Sequence, residues 1–109
     1  MKRDPSSEGR ERYDALAAAL GAGGFVRSGR MFGMPVLKVG GKAFAGYHDG
    51  GMTFKLAEPS RSAALAIVGA VLFDPMGGRP MREWVQVPAS ASDRWHELAE
   101  AARAYVAGS

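Results

Sequence analysis

The chain of 109 residues contains no cysteine. That excludes a disulfide framework, a thiol nucleophile and any cysteine-based metal site. Histidine is nearly absent too: His48 and His96 are the only two, and they alone are expected to titrate near neutrality. His96 and Glu100 stand four apart on a predicted helix, but no third ligand accompanies them, so no metal is expected. The serines lack a nucleophile-elbow context and no Ser-His-Asp set is suggested. No general acid–base pair can be named either. The residues therefore offer no catalytic constellation, and neither an enzyme nor a cofactor is expected.

Long apolar runs are also missing. None approaches the roughly 20 residues of a membrane helix, and Met1–Glu8 is polar, without the apolar segment of a secretory signal. The expectation is a cytoplasmic protein with no membrane contact, which the lack of cysteine fits. Charge is modest: 14 basic against 11 acidic residues, net +3, a weak footprint for nucleic acid.

What is present is one domain's worth of regular pattern, residues 1–109, with 1–7 expected to be a flexible lead-in. Folding a chain this size buries roughly 65% of the unfolded surface, enough for one core. Tyr13, Leu16, Ala17 and Leu20 share one helical face, and the glycines from Gly21 end that helix. From Phe25 to Leu56, short apolar runs separated by glycine predict a meander of strands: Val26–Phe32, Met34–Val39, Lys42–His48 and Met52–Leu56. Gly40-Gly41 and Asp49-Gly50-Gly51 are hairpin signals. In the fourth run Met52, Phe54 and Leu56 should face inward, with Thr53 and Lys55 outward.

Pro59 to Val68 reads as a second helix with Ala64, Leu65 and Val68 as its apolar stripe. Ala70–Phe73 and Arg82–Val87 are predicted strands around a Gly-Pro turn. Ser90 with Asp93 has capping-box spacing before a last helix from about Ala91 to Ala107. Phe32, Phe44, Phe54, Phe73, Trp84 and Trp95 are expected in or near the core. The order, α-β-β-β-β-α-β-β-α, is that of an α+β domain: an antiparallel sheet with one wet face and flanking helices.

Two features invite a binding role. Gly77-Gly78-Arg79 offers backbone donors and a guanidinium that can hold an anion, although the simpler expectation is that the glycines only make the turn. Arg27, Arg30, Lys38, Lys42, Lys55, Arg79 and Arg82 all fall on strands and turns. Of these, Arg30, Lys38, Lys42, Lys55, Arg79 and Arg82 are the candidate contacts for a macromolecular partner or a phosphate backbone. Met31, Met34, Met76 and Met81 flank the turns and suit an adaptable rim. A small-ligand or enzymatic site using His48 and Arg79 is the remaining alternative. Uncovered edge strands also leave a monomer or a weak homodimer open.

The segments Arg30–Gly46 (Arg-Met-Phe-Gly-Met-Pro-Val-Leu-Lys-Val-Gly-Gly-Lys-Ala-Phe-Ala-Gly) and Gly78–Pro88 (Gly-Arg-Pro-Met-Arg-Glu-Trp-Val-Gln-Val-Pro) resemble the N-terminal domain of the TfoX/Sxy family. The first also resembles the MmcQ/YjbR-like proteins. The likeness runs from about Tyr13 to Val106. It implies a curved antiparallel sheet with flanking helices, of the secretion-chaperone-like type. Full-length members are bacterial regulators of natural competence with a second, C-terminal domain, so a stand-alone, non-catalytic regulatory domain is expected here. The family supplies no catalytic residues to carry over.

Overall fold

In the computed structural model, which describes residues 5–22, 24–75 and 77–108, the first helix, α1, spans Pro5–Gly21. It therefore starts earlier than its apolar periodicity, with proline at its first position, where a missing N–H costs nothing. The lead-in expected over 1–7 is helical from Pro5, and residues 1–4 lie outside the described ones, as does Met76.

The meander forms β1 (Val26–Met31), β2 (Met34–Val39), β3 (Lys42–His48) and β4 (Gly51–Lys55). Each of the three hairpins turns through two residues of positive φ: Phe32-Gly33, Gly40-Gly41 and Asp49-Gly50. Such a turn twists in the same sense as the strands it joins. Phe32 is consequently not a core residue. It sits in the first turn at φ 52° and is 58% exposed.

The second helix, α2, is short, Ser60–Leu65, with Pro59 just ahead of it. Glu58 accepts hydrogen bonds from the Ser62 backbone (3.0 Å) and from Arg61 (3.3 Å), a carboxylate placed where the orphan N–H groups of a helix start need one. Because the helix stops at Leu65, Val68 falls in the following turn and is 91% exposed. Of the expected apolar stripe only Ala64 is buried. Strands β5 (Val71–Phe73) and β6 (Met81–Val87) follow. The Ser90–Asp93 capping box does not form: a 3-10 turn over Ala89–Arg94, kinked at Ala91, precedes α3 (Trp95–Ala107) without a side-chain cap.

All strand pairs are antiparallel, in the order β1-β2-β3-β4-β6-β5. One face carries the main core, where Tyr13 and Leu16 of α1 and Trp95, Leu98, Ala99, Ala102 and Val106 of α3 meet Leu37, Phe44, Phe54, Val85 and Val87. The spacing 95, 98, 99, 102, 106 is one helical stripe, and its alanines let α3 lie close to the strands. Where α1 passes the β3–β4 turn, a methyl group on Gly9 would stand 2.5 Å from the Gly50 carbonyl oxygen.

Among the described residues, no helix residue joins the cluster on the other face, made of Met34, Val36, Phe73 and Trp84. Between these residues β3 and β4 present Gly46 and Thr53, and a methyl on Gly46 would stand 2.6 Å from Met34 Cε. Small residues at the centre let larger side chains from the flanks lie over it. Thr53, expected on the wet side, is thereby fully buried, its hydroxyl donating to the Gly46 carbonyl at 3.4 Å. The face without helices is thus self-covered at its centre rather than wet throughout. Met31 and Met81 pack against this second cluster, and Met52 belongs to the main core. Their role is to fill gaps.

Candidate functional site: the basic end of the sheet

The strands hold six lysines and arginines (Arg27, Arg30, Lys38, Lys42, Lys55, Arg82) and one carboxylate, Glu83. Register decides which of them meet. Arg27 pairs across with Lys38, and alternation puts Lys38 on the helix-free face with Met34 and Val36. Lys38 lies over Gly29, where an added methyl would be 2.8 Å from its Cε. On the far side of the sheet Lys55 pairs with Trp84 and shares its face, and Arg82 stands two residues before Trp84, in the stretch of β6 where the register with β5 shifts. All four cations lie toward the end of the sheet from which the Gly40-Gly41 turn and the β5–β6 turn project. Arg79, in the latter turn, is exposed.

The acidic groups at this end are engaged. Glu83 points to the helix side, where its carboxylate accepts a hydrogen bond from the Tyr105 hydroxyl at 2.9 Å, and that bond holds the phenol above its usual pKa. Glu58 is occupied by Ser62 and Arg61, and the Ser62 hydroxyl foremost keeps its carboxyl below the ordinary range. Asp74 accepts the backbone N–H groups of Gly78 (2.7 Å) and Arg79 (3.3 Å). This answers the anion-cradle reading of Gly77-Gly78-Arg79: donors of the loop already hold an anion, the chain's own Asp74. Asp74 thus fixes the shape of the turn.

Two of the six candidate contacts are not part of this group. Arg30 lies at the opposite end of the sheet, where its Nη2 donates to the Gly33 carbonyl at 2.8 Å across the first hairpin turn. Lys42 pairs with Val39, whose side chain packs into the main core. It therefore belongs to the helix face, lining a small cleft with Val106 and Ala107. Lys38, Lys55, Arg79 and Arg82 remain at the basic end, joined by Arg27. The signal for Arg27 was register: once Gly40-Gly41 fixes the β2–β3 turn and Phe32-Gly33 the β1–β2 turn, Arg27 falls opposite Lys38.

One cleft opens at the basic end, about 300 Å³ in volume and lined by Phe25, Arg27, Ser28, Lys38, Gly40 and Gly41. Phe25 is 78% exposed, an apolar ring offered to solvent in a cleft that two cations also line. Among the described residues, neither His48 nor Arg79 lines any of the main clefts on the sheet or beside the helices. His48 packs edge-on against Phe73, ring centroids 5.1 Å apart, so it is partly enclosed rather than solvated. The cleft nearest to it, about 360 Å³ and lined by residues such as Asp49, Gly69, Gln86 and Ser90, takes in neither side chain. Exposed His96 lines a shallow cleft between α1 and α3 with Glu100, whose carboxylate is paired with Arg103 at 3.2 Å. Among the described residues no three histidine, aspartate or glutamate side chains gather as a metal site, and no helix is long and apolar enough to cross a membrane.

Compared with known proteins, the chain matches a family model described as the TfoX N-terminal domain over residues 17–108, from the middle of α1 through α3. No curated protein and no solved structure matches it.

Proposed function

The chain belongs to the TfoX N-terminal domain family, and from that membership and the basic end of its sheet we propose that it is a non-catalytic, cytoplasmic regulatory domain that binds an acidic macromolecular partner. The observation that carries the reading is the segregation of charge. Arg27, Lys38 and Lys55 share one end of the helix-free face with Arg79 and Arg82 beside them, while Glu58, Asp74 and Glu83 are each held by a neighbour. Cations without local counter-charges raise the local concentration of an acidic partner and fix its orientation. Competence regulation belongs to this proposal as the family's known process.

A second reading, with single-stranded nucleic acid as that partner, is favoured by one specific feature: exposed Phe25 beside Arg27 and Lys38. A ring flanked by cations is how single strands are held without sequence readout. Trp84 and Phe73 cannot stack on bases, being buried. The two readings separate in one experiment. Wild-type protein and the Lys38→Glu/Lys55→Glu/Arg82→Glu variant are used to capture partners from native cytoplasm, and both are titrated with single-stranded and duplex oligonucleotides across salt. A protein partner lost by the triple variant supports the first reading. Oligonucleotide affinity that falls with salt and weakens on Phe25→Ala supports the second. Partner capture and oligonucleotide binding both unchanged by the triple variant would refute the basic end as the site.

A further inference from the structure

The two edges of the sheet are unlike. Strand β1 carries exposed Arg27 and Arg30, the kind of charged edge that keeps sheets from pairing with one another. Strand β5, at the other end of the order, pairs with β6 alone and carries none. The whole run Ala63–Phe73, Ala-Ala-Leu-Ala-Ile-Val-Gly-Ala-Val-Leu-Phe, is without charge. It is also not covered: Val68 is 91%, Val71 55% and Leu65 37% exposed. An uncharged edge strand beside exposed valines is a surface that solvent does not favour.

We infer that β5 is a self-association edge, pairing antiparallel with β5 of a second copy about a two-fold axis near Leu72. An identical chain suits this edge for three reasons. An isologous contact needs only one patch, and the same short run supplies both the free backbone groups of β5 and the apolar side chains beside it. The flanking charges, Arg61 and Asp74, are already satisfied by Glu58 and by the β5–β6 turn, so two copies bring no unpaired charge together there. Arg27, Arg30 and Lys38 lie toward the far edge. Arg79 in the β5–β6 turn and Arg82 on β6 are the basic-end cations nearest this contact, the source of the repulsion between two chains of net +3. Because the axis of an antiparallel pair stands perpendicular to the sheet, the result is a continuous twelve-stranded sheet with both helix-free faces on the same side. Each dimer then offers two basic ends to one partner, and the gain from linked binding follows.

Three residues of strand plus a few side chains make an interface well below the roughly 800 Å² per partner of a standard complex. The association is therefore weak, with a dissociation constant on the order of 10–100 µM. Salt should strengthen it, because screening reduces repulsion between two positive chains, whereas binding of an acidic partner weakens with salt.

Sedimentation and light scattering of the full chain from micromolar to millimolar concentration test this. The expected result is a mass rising from 11.5 kDa toward twice that value, the rise steeper at high salt. Val71→Lys and, separately, Val68→Lys should weaken it at least tenfold with an unchanged circular dichroism spectrum, while Arg27→Ala at the other edge leaves it in place. Concentration-dependent amide shifts should fall in residues 63–73. A constant 11.5 kDa mass across the range overturns the inference. So does association that both lysine variants retain, or concentration-dependent shifts that map to β1 or to a helix.

Discussion

Gly9 offers a test in which two effects of opposite sign can be weighed. Its place inside α1 argues for substitution, since alanine is favoured over glycine in a helix interior by about 1 kcal/mol. Its surroundings argue against. The new methyl would stand 2.5 Å from the Gly50 carbonyl oxygen, 3.2 Å from its carbon and 3.4 Å from its Cα. Every one of these is backbone, so no side chain can swing away. The Gly50 backbone is itself held in the Asp49-Gly50 turn, whose two residues both have positive φ and whose flanks His48 and Gly51 are paired. Relief would therefore come from lifting α1 by close to 1 Å, which loosens Tyr13 and Leu16 in the main core. Overpacking of this kind costs about 1–3 kcal/mol, so Gly9→Ala should be destabilising by about 1 kcal/mol net, roughly 4–8 °C in Tm for a domain of this size. Urea unfolding followed by circular dichroism measures it, with Ala18→Gly on the exposed side of α1 as the calibration for helix propensity. If Gly9→Ala raises stability by the same amount that Ala18→Gly lowers it, α1 does not approach the Gly50 backbone this closely.

Further outcomes follow from the same contacts. Truncating Phe73, fully buried in the second cluster, to alanine should cost about 3–5 kcal/mol in chemical denaturation; a loss under 1 kcal/mol would mean that the helix-free face has no real core. Asp74→Ala should free the Gly78 and Arg79 amides, seen as faster hydrogen exchange there, and lower stability by about 1 kcal/mol. Burial foremost pushes the Tyr13 phenol up to about 12, with Asp14 adding to it and Arg10 opposing. The unfolded chain releases that proton near 10, so stability is intact below pH 10 and falls as pH rises toward 12; phenolate absorbance and unfolding midpoints across that window check the sign. Glu58 runs the other way. Its carboxyl is held below the ordinary value, so its contribution is present above pH 4.5 and is lost as pH falls through its lowered pKa, with a carboxyl carbon resonance midpoint below 4.5 as the readout.

Element order and turn placement were legible in the chain because both depend on neighbours in sequence. Glycine pairs mark where φ must be positive, and Trp95, Leu98, Ala99, Ala102 and Val106 repeat at a helix's own period. Met34–Val39 and Lys42–His48 are strands with the bounds their composition suggests. Boundaries drifted where a local signal had a competitor. Phe32 reads as strand until Gly33 draws it into the turn, and Val68 reads as helix until α2 stops at Leu65.

The site was legible only as a set of residue types. Which lysines and arginines share a face depends on strand register and on the bulge between Leu37 and Lys38, and no local pattern encodes either. Register united Lys38 and Lys55, brought in Arg27, and sent Arg30 to the far end and Lys42 to the helix face. The Gly77-Gly78-Arg79 turn shows the same division. Its glycines announce a turn from sequence alone, but that Asp74 already occupies its amides is a matter of distance in space. Burial of Thr53 is likewise decided across strands, by Gly46 beneath Met34 and by side chains arriving from β2, β5 and β6. Chain chemistry therefore set what each segment could become, and long-range pairing decided which of those segments met and what their meeting left exposed.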